Sequence, residues 1–350
     1  MGACSVMFAK LKGLLGKLIA VRAASTSGYF YVLDGWRGLS ILFVLAAHLL
    51  PLGPKYLRLN EMAGPLGMCL FFTLSGFLIA NFLIHKPNVY HFIVRRFFRI
   101  IPLAWLYLII ALPVLGADEN TYLAHFFFFG NWTALSGSQV WVATGTSHFW
   151  SLCVEMQFYI GIAFLFFLFK QRALLIIPFT CLGITAFRVY EGVYIATNTY
   201  FRIDEILVGV IVALAYNKKI GEWLPREFSH TSPYLVLILL LISCHPEGGM
   251  MNYFRPYLAA TLVAITLYRP NLFLVKVLHL RVLVYLASIS YALYIIHPLL
   301  AHTWLGSGDV IEKYAKRPLL FSILFVLAHL STFYYEKYWV TLAKRITTKK

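Results

Sequence analysis

Apolar stretches separated by short polar breaks run along the chain near 35–53, 65–84, 100–116, 149–169, 173–187, 203–216, 233–245, 256–268, 282–303 and 318–336. A helix needs about 20 mostly apolar residues to cross a bilayer. The pattern therefore predicts an all-α fold, a polytopic membrane helix bundle of about 10 transmembrane helices, with the fifth to eighth stretches marginal in length. An even number of crossings puts both ends on one side. With the N-terminus inside, most of the 30 Lys and Arg residues fall on the inner face, among them Arg95, Arg96, Arg99, Lys218, Lys219, Lys344 and Arg345. Cytoplasmic loops carry that excess, so the N- and C-termini are both expected to be cytoplasmic.

The same threading divides the chain into a basic, amphipathic N-terminal segment over 1–28, a transmembrane domain over 29–340 and a basic cytoplasmic tail over 341–350. Residues 1–28 lack a signal-peptide core and read as a surface-lying helix. The longest outer loop, roughly 117–148, holds an aromatic run from Phe126 to Phe129 followed by Trp132, suited to the membrane interface. No internal repeat is evident, which weighs against an inverted-repeat transporter.

Composition sharpens the picture. Of 350 residues, 60% are hydrophobic and 13% charged, about half the roughly 25% charge of a soluble domain. A net charge of +16 would suit a nucleic-acid partner if it were gathered on one domain, but here it recurs in small clusters between apolar runs. The predicted partners are membrane lipid rather than nucleic acid. Cys4, Cys69, Cys153, Cys181 and Cys244 are scattered without paired spacing, so neither a disulfide framework nor a metal site is expected.

Ionisable residues inside apolar stretches are costly in lipid unless paired or hydrated, and each is a functional candidate. Asp34-Gly35-Trp36-Arg37 opens the first stretch, and His48 follows in the same predicted helix. Eleven residues amount to about three turns, so Arg37 and His48 share a face roughly 16 Å apart. Arg95, Arg96 and Arg99 stand at the entrance to the third stretch, with Arg96 and Arg99 spaced to grip a phosphate together. Trp150, Ser151 and Glu155 lie in the fourth, and a buried carboxylate there needs a donor. Ser290, Tyr294 and His297 form a polar stripe on the ninth, ahead of Pro298, where the helix could bend. Ser75-Gly76 suits a close helix contact. Arg202 and Asp204 read as a local ion pair.

These residues, in this order, resemble acyltransferase family 3, the integral-membrane acyltransferases: Asp34-Gly35-x-Arg37-Gly38 with His48, Phe72-x-Leu74-Ser75-Gly76-Phe77, Arg95-Arg96-x-x-Arg99, Phe149-Trp150-Ser151-Leu152-x-x-Glu155, Arg202-x-Asp204 and Ser290-Tyr291-x-Leu293-Tyr294-x-x-His297-Pro298. The match runs from about 29 to 340 and is nearest to members that O-acetylate bacterial cell-surface polysaccharides such as O-antigen. The resemblance implies a multi-pass protein of the bacterial inner membrane. Its acyl donor would be cytoplasmic acetyl-CoA, its acceptor a glycan hydroxyl at the outer face, in some cases polyprenyl-linked. It implies Arg37 and His48 as the functional pair, with Glu155, and Arg96 and Arg99, with Arg95, at the coenzyme. Asp34, Ser75, Trp150, Ser151, Ser290, Tyr294 and His297 would support them. His48 would act as general base, with Glu155 or another acceptor fixing its tautomer, or would carry the acetyl group itself. Many relatives append an outer esterase-like domain; none is expected here, so the chain would act alone, as a homo-oligomer or with a separate partner. The competing readings are a transporter or flippase of an anionic or lipid-linked substrate, and transfer of another acyl group or to another acceptor.

Overall fold

A computed structural model describes residues 30–133, 145–221, 227–228 and 230–348. The segment expected over 1–28 lies outside the described residues. Among those residues the chain is helical and holds no strand, as a lipid-immersed backbone requires when all its donors and acceptors must be satisfied internally.

A helix occupies each predicted stretch: α1 (Tyr31–Leu49), α2 (Leu59–His85), α3 (Val89–Val114), α4 (Phe149–Phe169), α5 (Ala173–Tyr190), α6 (Asp204–Tyr216), α7 (Pro233–Cys244), α8 (Arg255–Tyr268), α9 (Arg281–Ala301) and α10 (Arg317–Leu330). A π-helical segment, Ser331–Glu336, joins α10 to α11 (Lys337–Thr348). Six helical runs among the described residues are long and apolar enough to cross a membrane. A seventh is added if α7 and the run Gly249–Tyr268, bent by 115°, count as one. Helices of 12 to 14 residues, as in α6, α7 and α8, rise only about 18–21 Å against a hydrocarbon core of about 30 Å. Length therefore supports six or seven crossings where the apolar pattern alone predicts about ten.

Two boundaries differ from the sequence reading, while α9 keeps to its predicted stretch. The Asn88 side chain caps α3 by accepting from the His91 amide, so Arg95, Arg96 and Arg99 lie within the helix rather than at its entrance. α9 runs on through Pro298 to Ala301. The stretch expected as a tail from 341 continues α11, which docks on α3 where Arg95 donates to Thr347 Oγ1 at 3.2 Å.

α1 packs against α2 and α9, and α2 against α6. The α2–α6 crossing is close because Gly76 and Gly209 leave each other's backbone room. A Cβ on Gly76 would stand 1.9 Å from the Ile206 carbonyl oxygen, and one on Gly209 would stand 2.0 Å from that of Thr73. The small-residue contact expected at Ser75-Gly76 is thus realised. On the outside, Ile109, Phe164, Phe167, Phe179 and Val326 are exposed, an apolar coat fitted to lipid.

A buried charge network ties α5, α6 and α8 together. Arg188 pairs with Asp204, while Glu205 accepts from Arg255 Nε at 2.9 Å and faces Arg202 Nε at 3.2 Å. All five side chains are buried. The local pair expected between Arg202 and Asp204 does not form. Residues two apart on a helix point away from each other, whereas residues three apart share a face, and Arg202 accordingly meets Glu205.

Candidate active site

Three voids lie in series through the bundle. The first, about 260 Å³, is lined by Arg37, Arg95, Arg96, Arg99 and Lys344 with Glu155, Tyr159 and Tyr291. The second is a narrow neck of about 20 Å³ bordered by Ser40, Met68, Phe71, Ser151, Glu155, Ser290 and Tyr294. The third, about 390 Å³, holds His48, His148, Trp150, Arg202 and Tyr294. Phe71, Glu155 and Tyr291 belong to both first and second, and Val44, Met68 and Tyr294 to both second and third. Arg37 and His48, three turns apart on α1, therefore open into opposite ends of one path.

The basic cleft is rich in cation and poor in counter-ion. Arg99 pairs with Glu336 at 3.0 Å, and the π-helical turn places that carboxylate to accept from Thr332 Oγ1 at 2.9 Å as well. Arg96 lies over the Tyr159 ring, 5.6 Å from its centroid, and Arg37 over Phe71 at 5.5 Å. Arg37 Nε is buried and without a hydrogen-bond partner among the described residues. A buried guanidinium with an unused donor beside three other arginines suits a polyanionic ligand.

At the far end, His48 Nδ1 lies 2.9 Å from His297 Nε2. His297 Nδ1 sits 2.8 Å from the Tyr294 carbonyl and 3.2 Å from that of Leu293. Carbonyls only accept, so His297 carries its proton on Nδ1 and presents the Nε2 lone pair. The proton between the rings then belongs to His48 Nδ1, which leaves His48 Nε2, on a ring that lines the third void, unprotonated. This tautomer, assigned from the hydrogen-bond pattern, is the one a general base needs.

Glu155 lies between the two ends. It accepts from Ser75 Oγ at 2.7 Å and from the Tyr159 hydroxyl. Tyr294 donates to the His148 carbonyl at 2.7 Å and meets Ser151 Oγ at 2.6 Å, which holds α9 against the start of α4 at the neck.

A profile of the Acyltransferase domain family matches residues 30–336, which takes in the helices that line the three voids except α11, the source of Lys344. The chain belongs to acyltransferase family 3. It is similar to O-acetyltransferase OatA of Staphylococcus aureus (strain NCTC 8325 / PS 47), 26% identical over 313 residues, covering 77% of this chain and 50% of that protein. It is also similar to the Bacillus subtilis (strain 168) protein named "Putative peptidoglycan O-acetyltransferase YrhL", 27% identical over 316 residues, covering 77% and 48%. The chain spans about half the length of these curated relatives. No solved structure matches it.

Within this acyltransferase domain the sequence-selected residues divide between the two ends. Arg37, Arg95, Arg96 and Arg99 meet at the basic cleft, and His48 and Trp150 at the cavity at the far end. Glu155, Ser151, Ser290 and Tyr294 border the neck, and Ser75 reaches it through Glu155. His297 holds His48 from beneath. Asp34 stands in the first turn of α1, where a carboxylate complements the helix N-terminus, outside the lining of all three voids. Of the acceptors left open for the His48 ring, the structure places His297 there, while the Glu155 carboxylate is engaged by Ser75 and Tyr159 at the other end of the neck. Sequence reading passed over His148 and Glu336, gave no role to Tyr159 or Tyr291, and did not place Arg202 in the far cavity. His148 is 4% exposed and neither ring nitrogen has a hydrogen-bond partner among the described residues. Its signal was an ionisable residue directly ahead of the Phe149-Trp150-Ser151 motif.

Proposed function

We propose that this chain moves an acetyl group from cytoplasmic acetyl-CoA to a hydroxyl of a cell-envelope glycan across the bacterial plasma membrane. The observation that carries the reading is the series of three adjoining voids, sharing lining residues, that runs from an arginine-lined cleft to the cavity holding His48. The cleft fits the donor: Arg37, Arg95, Arg96 and Lys344 outnumber the acidic groups there, and the unused donor on Arg37 awaits an acceptor atom. When bound, acetyl-CoA supplies the activated acyl carbon. The arginines hold its phosphates, and the path along α1 matches the reach of an extended arm toward His48. His48 Nε2 takes the proton of the acceptor hydroxyl as that oxygen attacks, then returns it to the departing sulfur. His297 keeps the base in its productive tautomer, and the Tyr294 carbonyl anchors His297. The about 20 Å³ neck holds little more than one water, so Met68 and Phe71 must swing aside for each transfer.

The Lys and Arg bias supports the orientation: arginine cleft and both termini toward the cytoplasm, outer cavity toward the acceptor, with about ten crossings once α4 and α5 are counted separately and α6, α7 and α8 are added. YrhL's name points to peptidoglycan, so the acceptor is drawn more broadly than the O-antigen-type glycan of the sequence resemblance, and lipid-linked precursors are included. The test uses the purified chain in detergent with acetyl-labelled CoA and candidate glycans. Labelled glycan and free CoA thiol should form together, and His48→Ala should abolish both. A transporter would release no free CoA, and label transfer at the wild-type rate by a correctly inserted His48→Ala would defeat the proposal.

A further inference from the structure

The two ends of the path differ in charge in a way that the transfer chemistry alone does not require. The Arg188, Arg202, Arg255, Asp204 and Glu205 network sets three guanidinium groups against two carboxylates and so carries one surplus positive charge in a buried setting. That surplus is costly unless an anion meets it. The partners divide unevenly. Arg188 holds Asp204 and donates to the Tyr194 carbonyl at 2.9 Å; Arg255 donates to Glu205 at 2.9 Å and reaches the same carbonyl. Arg202 has only its Nε contact with Glu205 at 3.2 Å, not aligned as a hydrogen bond, and the Trp150 ring, 5.1 Å from its guanidinium carbon. Its terminal nitrogens make no hydrogen bond to the described residues. Arg202 is 2% exposed and lines the same cavity as His48. The surplus charge of the network therefore points into the outer cavity.

We propose that the outer cavity is an oxyanion-recognition site: Arg202 binds a singly charged carboxylate or phosphodiester on the acceptor and so places a neighbouring hydroxyl at His48. The proposal rests on the acyl-transfer reading for the identity of the ligand as the acceptor. One surplus charge matches a monoanion, whereas the cluster of arginines in the basic cleft matches a polyanion. A guanidinium with free terminal nitrogens offers two parallel donors to either oxyanion, and a cavity of about 390 Å³ lies within the roughly 300–1,000 Å³ typical of small-ligand sites. The acceptor is accordingly an acidic glycan, or one joined through phosphodiesters.

The test needs no acetyl-CoA. Saturation-transfer NMR on the purified full chain in detergent would measure binding of glucuronate, dimethyl phosphate and neutral methyl glucoside. At least one anion should bind more tightly than the neutral probe, and which one identifies the oxyanion. Arg202→Gln should weaken that binding at least tenfold. Ala196→Asp, which adds a carboxylate to the cavity lining while leaving the ion network intact, should do the same. Arg96→Gln with Arg99→Gln should leave it within twofold. Anion binding that survives both outer-cavity variants overturns the proposal, as does equal binding of the neutral probe, or loss only in the Arg96 and Arg99 variant. Failure of acetyl transfer with these binding losses intact would remove the proposed function and leave the oxyanion site standing; transfer without them would do the reverse.

Discussion

Replacing His297 with alanine isolates the part of the site that sequence proximity hides. The substitution removes the acceptor of the 2.9 Å bond from His48 Nδ1 without touching the nitrogen that faces the acceptor. In the free imidazole the proton then moves between the two nitrogens, and the His48 Nδ1 donor loses its partner. Losing a hydrogen bond costs about 0.5–1.5 kcal/mol net, which corresponds to roughly 2- to 13-fold in rate when it falls on the transition state. Removing the base itself with His48→Ala should cost roughly a hundred- to ten-thousand-fold. His297→Ala is thus expected to lie between wild type and His48→Ala, in kcat rather than in KM for acetyl-CoA, because the basic cleft is unchanged. His297→Gln offers a side-chain oxygen to His48 Nδ1 and should recover part of the loss, a rescue that mere packing would not show. The assay is release of free CoA thiol coupled to labelled glycan, with size-exclusion and thermal unfolding as checks on the fold. A His297→Ala protein that turns over within twofold of wild type, or one whose loss is entirely in KM, refutes the tautomer argument.

Other outcomes follow from the same geometry. Arg96→Gln with Arg99→Gln should raise KM for acetyl-CoA more than tenfold with kcat little altered; a fall in kcat at unchanged KM would move those arginines from binding to chemistry. Gly76→Ala forces a Cβ against the Ile206 carbonyl at the α2–α6 crossing, so the melting temperature in detergent should fall by the equivalent of about 1–3 kcal/mol, and an unchanged melting temperature would show that the helices separate freely. Asp204→Asn leaves Arg188 buried without its counter-charge and should destabilise by about 3–5 kcal/mol. Adding Arg188→Met should restore most of that loss, and additive losses in the double variant would rule out the pair.

Which parts of this were legible in sequence follows from what a one-dimensional pattern encodes. Arg37, His48 and Glu155 announced themselves because an ionisable group in an apolar run has no cheap explanation, and helical spacing put Ser290, Tyr294 and His297 on one stripe. His148 did not, since polar neighbours at the end of an apolar run make a histidine inexpensive there. The pairing of Arg202 was misread although the information was present: spacing of three, not two, sets neighbours on a helix, and Glu205 was the better partner from the start. The bond between His48 and His297 joins residues 249 apart, and no local rule reaches that far. Hydropathy likewise marks where apolar residues lie but not whether a helix crosses, so α7 and α8 read as spans although they are short and their pair is sharply bent. The chemistry-bearing residues were found because lipid makes them costly, while their partners had to be seen in three dimensions. The division of labour proposed here, a polyanion cleft and a monoanion cavity joined by a narrow neck, rests on those partners. Arginine count alone would place both charges at one site; the observed pairing of Arg99 with Glu336, and of Arg188 and Arg255 with Asp204 and Glu205, leaves Arg37, Arg95 and Arg96 at one end and Arg202 at the other without a hydrogen-bonded carboxylate among the described residues.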